Sequence, residues 1–118
     1  MDELQSSFIF NGDELAYLLD GLVQRKELRS LLQLDASFPE YGAQSLEQKG
    51  LLNGNTVDPV VAYIFRAIST AEIEQGEECI RLRCRKMNVL LKPYPKAKGA
   101  WRLTPMRKEE KNDVQDTY

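Results

Sequence analysis

The 118-residue chain contains no histidine. That absence removes the side chain that titrates nearest neutral pH and the commonest nitrogen ligand for metals, so acid–base or metal chemistry would have to rest on other groups. Cysteine is almost as scarce: only Cys79 and Cys84 are present, five positions apart on a segment that reads as a strand. An odd offset sets them on opposite faces, which disfavours a mutual disulfide or a shared metal site, and we read both as reduced packing residues. Apolar runs are only a few residues long, far below the roughly 20 needed to span a bilayer. Met1-Asp2-Glu3 lacks the basic start of a signal peptide, so a cytoplasmic location without membrane insertion is expected. Neither a glycine-rich phosphate loop nor a serine nucleophile elbow occurs, and the expectation is a non-enzyme without cofactors.

What the chain does have is charge sorted by position. Residues 1–78 hold 5 Lys/Arg against 14 Asp/Glu, whereas residues 79–118 hold 11 against 4. The net charge of −2 conceals both halves. Such polarity steers association and says little about fold, so it argues for binding to a partner, to another copy of the chain, or between the two parts. With 42% hydrophobic and 29% charged residues, the length suits one domain with a modest core. Residues 1–107 are expected to form it, and residues 108–118, polar and aperiodic, to be a disordered tail.

Four helical segments are expected. Asn11 can cap a first helix, with Glu14 closing a capping box and Phe10 and Leu15 in the positions of a hydrophobic staple. Leu15, Leu18, Leu19 and Leu22 then recur at helical spacing. Lys26 to Leu34 reads as a second, shorter segment. A third begins at Phe38-Pro39-Glu40 and should end at Gly50 in a left-handed conformation. Asn53-Gly54-Asn55 is a turn by composition. Asp58-Pro59 opens the fourth helix, whose stripe of Val60, Val61, Ile64, Phe65 and Ile68 is expected in the core. The acidic stretch from Glu72 to Glu78 reads as a connection.

After it the period changes to two. Ile80, Leu82 and Cys84 alternate with Arg81, Arg83 and Arg85, further strands are expected at Met87–Lys92 and Ala100–Met106, and a proline-stiffened basic loop, Pro93–Gly99, lies between those two. The expected architecture is α+β, about four helices followed by a small antiparallel sheet of about three strands. Arg81, Arg83, Arg85, Lys92, Tyr94, Trp101 and Arg102 form the candidate partner-binding set. They suit a solvated face, a protein-binding face, or a winged-helix or other nucleic-acid-binding module in which cations meet phosphates and aromatics stack on bases. Against the last, the helix over Pro39–Lys49 that would enter the major groove has one Lys and two Glu. A solvated loop accounts for Glu72, Glu74, Glu77 and Glu78, which lack the ligand order of a calcium site.

Three stretches taken together carry a resemblance: Phe8 to Leu15, Ser45 to Leu52, and Asp58-Pro59 with the helix running to Ala71-Glu72. Their order, a short strand before a helix beginning x-x-Glu-Leu, a helix closing on Leu-x-x-Lys-Gly-Leu, and a proline-started helix before strands, resembles the N-terminal half of EspG-like type VII secretion chaperones. The resemblance covers about 70 residues. It implies a cytoplasmic adaptor that holds a helical, hairpin-shaped secretion substrate. Members of that family have two similar halves, so a one-half chain is expected to pair as a homodimer, with a sheet edge as a plausible seam.

Overall fold

A computed structural model describes residues 7–34 and 36–107; the expected tail lies outside these residues, as do Met1 to Ser6 and Asp35. Helix formation begins where the sequence supplies caps. The Asn11 side chain accepts from the Glu14 N–H at 2.8 Å while Glu14 Oε1 accepts from the Asn11 N–H at 2.9 Å, so the capping box starts α1, Gly12–Leu18. Helix α1 then widens into a π-turn, Leu19–Val23, and stops at Gln24, which takes the left-handed conformation at φ 61°. Helix α2, Lys26–Leu31, follows directly. Helix α3, Pro39–Gln48, carries proline in its first turn and closes at Gly50, φ 80°, with the Leu51 N–H returned to Leu46 O at 2.9 Å. In α4, Pro59–Ile68, Asp58 accepts from the Val60 and Val61 N–H groups.

The sheet is larger than the expected three strands. Strands β1 (Phe8–Phe10), β4 (Glu72–Gln75), β5 (Ile80–Arg83), β6 (Met87–Pro93) and β7 (Trp101–Arg107) form one antiparallel sheet in the order β1-β7-β6-β5-β4; β2 (Leu52–Asn53) and β3 (Thr56–Val57) form a separate hairpin around the expected turn. Two corrections follow. The acidic stretch read as a connection contains strand β4, paired along its length with β5 from Glu72↔Arg83 to Gln75↔Ile80. The sheet is also not wholly C-terminal to the helices, because β1 precedes them and pairs with the last strand, Phe8↔Leu103 to Phe10↔Trp101. Strand β1 pairs no further than Leu103 among the described residues, which leaves Pro105 without a described partner on that side of β7, where a missing N–H is tolerated.

Helices cover one face of the sheet. Leu15, Leu19, Phe65 and Ile68 from the helical layer meet Leu82, Leu91 and Leu103 from the sheet around a residual apolar void of about 10 Å³. All seven are buried, and each such side chain stabilises the fold by about 1.5–3 kcal/mol on transfer from water. Val61, Ile64, Phe65 and Ile68 are buried as expected, but Val60 is 57% exposed. It sits at the second helical position, at the flank of the inward stripe. Two polar devices tie the layers together. Arg25 Nη1 donates to Ile68 O at 3.0 Å and Ala71 O at 2.7 Å, satisfying carbonyls at the end of α4. Glu14, fully buried, accepts from the Asn11 N–H, the Ser45 hydroxyl and Lys49 Nζ, the last at 2.8 Å. Lys49 Nζ also donates to Ile9 O at 2.8 Å, joining α3 to β1.

Candidate functional site

Strand pairing decides which side chains share a face, because residues directly opposite each other across a ladder point the same way. On the face away from the helices, three rows run across the sheet. One is Ile9–Arg102–Lys92, one Thr104–Leu90–Arg81–Glu74, and one Met106–Asn88–Arg83–Glu72. Arg81, Arg83, Lys92, Arg102, Glu72, Glu74 and Met106 are exposed, while Ile9, Leu90, Thr104 and Asn88 are half-buried. No described helix lies over this face.

The candidate residues divide into groups that the alternation alone did not separate. Arg81 and Arg83 stand directly opposite Glu74 and Glu72 of β4, and Arg83 Nη1 reaches Glu74 Oε2 at 2.8 Å. That bond to Glu74 pushes the Arg83 guanidinium further toward its charged form. Arg83 is therefore matched by an ion pair within the sheet, while Arg81 has a carboxylate opposite it in register only. Lys92 and Arg102 face each other across β6 and β7, an arrangement of like charges that costs stability. Among the described residues neither forms an ion pair; Arg102 Nη1 donates to Ser7 Oγ at 3.0 Å, and its guanidinium lies 5.4 Å from the centre of the Tyr94 ring. Tyr94 thus belongs with Lys92 and Arg102. Arg85 is exposed in the Arg85-Lys86 tip between β5 and β6, apart from that cluster. Trp101 is not on this face at all. It opposes Phe10 and packs half-buried against the core, so its place in the candidate set is corrected by the same period of two that puts it opposite in sense to Arg102.

One further group at the face was not visible in the sequence. Asn88 Oδ1 is buried and has no hydrogen-bond partner among the described residues. Such an acceptor is costly to leave unmet, and a donor arriving on the open face could satisfy it. Cys79 and Cys84 flank β5 and are not joined by a disulfide; Cys84 is buried and Cys79 half-buried. Among the described residues no three His, Cys, Asp or Glu side chains gather where a metal could be held, and no helix is long and apolar enough to cross a membrane.

Compared with known proteins, the chain matches no family model, no curated protein and no solved structure.

Proposed function

We propose that the protein is a non-catalytic adaptor that docks a protein partner on the open face of its sheet, with a carboxylate of the partner seated between Lys92 and Arg102. The observation that carries this reading is the pair itself: two exposed cations held directly opposite each other, with no carboxylate bonded to either among the described residues. Like charges fixed side by side raise the local potential, and an incoming carboxylate relieves their repulsion as it binds. Tyr94 supplies an aromatic wall and Leu90, Ile9 and Met106 an apolar floor beside the charge, the mixture typical of a protein interface.

Charge distribution favours a protein over a nucleic acid. Glu72 and Glu74 lie on the same face as the cations, two strands from Lys92, and would repel a polymer that carries a negative charge at every step. A protein can place its carboxylates only where they are wanted. In keeping with the resemblance to EspG-like chaperones, the partner would be a helical, hairpin-shaped secretion substrate, and a second copy of the chain could restore a two-halved architecture in the cytoplasm.

Fluorescence anisotropy tests the reading with a labelled amphipathic peptide carrying Glu residues, and with random single-stranded and duplex DNA and RNA. The expected result is peptide binding with a shallow salt dependence, abolished by Lys92→Glu with Arg102→Glu. Sedimentation in the same buffers reports whether the binding species is one copy or two. Tight retention of random nucleic acid, falling by orders of magnitude between low and moderate salt, would replace the adaptor with the winged-helix or other nucleic-acid-binding alternative.

A further inference from the structure

Only five Lys/Arg occur in residues 1–78. Three of them, Arg25, Lys26 and Arg29, line one open hollow of about 650 Å³ between the π-turn and α2, together with Leu19, Asp20 and Ser30. From this concentration of cations in the acidic part of the chain, we infer that the hollow binds a small phosphate-bearing ligand. It is a site separate from the sheet face and does not depend on the adaptor reading.

The hollow arises from the backbone. A π-turn widens the helix over Leu19–Val23, and Gln24 at φ 61° then turns the chain so that Arg25 stands at the start of α2. π-Turns are recurrent at binding sites because the extra residue opens a gap beside the helix. The volume lies within the range of ordinary small-molecule pockets, about 300–1,000 Å³. Both guanidinium groups are half-buried and held in place. Arg25 donates to Ile68 O, Ala71 O and Glu27 Oε2, and Arg29 donates to Asp20 Oδ1 at 2.9 Å and Leu34 O at 3.3 Å. A guanidinium has five N–H donors, so donors remain on both after the three bonds of Arg25 and the two of Arg29. Cations fixed by the protein's own carbonyls need little reordering to bind an anion, and the fork of arginine matches phosphate oxygens. Lys26 adds an exposed ammonium, Ser30 a hydroxyl, and buried Leu19 an apolar wall for the rest of the ligand.

Among the described lining residues Asp20 is the one carboxylate, and it engages Arg29; Glu27, outside the lining, engages Arg25. Asp20 is therefore a competitor for the site, which gives the inference a signature that general stickiness of basic side chains lacks. The full chain is titrated with pyrophosphate, with inorganic phosphate and with citrate at constant ionic strength, and backbone amide shifts are followed by NMR. Saturable shifts over Leu19–Ser30 are expected with pyrophosphate, tighter than with citrate. Lys26→Gln should weaken pyrophosphate on the order of fivefold, about one charge-assisted contact at partial exposure, and Asp20→Asn should tighten it by a similar factor. Both substitutions are at exposed positions, and Lys92→Glu, in the other site, should leave the affinity unchanged. Equal binding of citrate, shifts centred on Lys92 and Arg102, shifts that never saturate, or an Asp20→Asn variant that binds no tighter would each overturn the assignment.

Discussion

Replacing Gly42 by alanine should break the tightest backbone approach at any described glycine. A Cβ built at Gly42 would lie 2.0 Å from Asp13 O, 2.4 Å from Asp13 C and 2.8 Å from Glu14 N. All three are backbone atoms of α1, so no flexible side chain can swing aside, and α1 and α3 must separate by more than about 1 Å to restore ordinary contact. The separation does not stop at packing. Ser45 and Lys49 of the same α3 region hold the buried Glu14 carboxylate, and moving them off leaves it with the Asn11 N–H alone. Overpacking alone costs about 1–3 kcal/mol, and loosening a buried charge pair adds to it. Against this, alanine in a helix is about 1 kcal/mol better than glycine. The balance is a loss of about 2–4 kcal/mol, a large part of the roughly 5–15 kcal/mol that holds a small domain together. Urea denaturation followed by circular dichroism should show the midpoint falling on the order of 1–2 M. Gly21→Ala is the control, since nothing lies within 4 Å of a Cβ there, and it should be neutral or stabilising. A Gly42→Ala midpoint equal to or above that of the wild type would refute the close-approach argument.

Three other outcomes are expected. Ile64→Ala removes a buried side chain from the inward stripe of α4 and should lower stability by about 2–5 kcal/mol in the same urea assay, whereas a near-neutral result would contradict the packing. Glu14→Gln keeps the shape of a fully buried side chain but turns an amide toward the donors of Ser45 and Lys49; a loss of about 2 kcal/mol is expected, moderated because Lys49 is 41% exposed and can relax into water. The hydrogen bond from Arg25 holds the Glu27 carboxyl below the ordinary carboxylate range, so its small contribution is present above the unfolded value and lost as pH falls through the folded one. Thermal melts of Glu27→Gln should thus show a flatter acid limb than wild type, and superimposable pH profiles would remove Glu27 from the account.

Much of the helical layer was legible in local chemistry. The Asn11–Glu14 box, the Asp58-Pro59 start and the left-handed Gly50 each act within a few residues of where they are read. Strand β4 was not legible because Glu72-Ile73-Glu74-Gln75 offers a single apolar side chain. What makes it a strand is the neighbouring row of arginines, a partner only the fold supplies. The candidate site was half-visible for the same reason. Alternation turned Arg81 and Arg83 outward, as the sheet has them, yet whether each cation is matched depends on what stands across the ladder. The burial of Glu14 and the role of Gly42 belong to the packing of α1 on α3, which no periodicity within one helix encodes.

The pairing of Phe8–Phe10 with Trp101–Leu103 makes the first described strand wait for the last. On the ribosome, the leucines of α1 emerge long before the β-ribbon on which they come to rest, and among the described residues β1 has no strand to pair with until β7 is synthesised. A truncation ending before Trp101 should leave that greasy surface bare and the nascent chain dependent on holdases. Completion of this fold is therefore a single late event, gated by translation of the segment around Leu103.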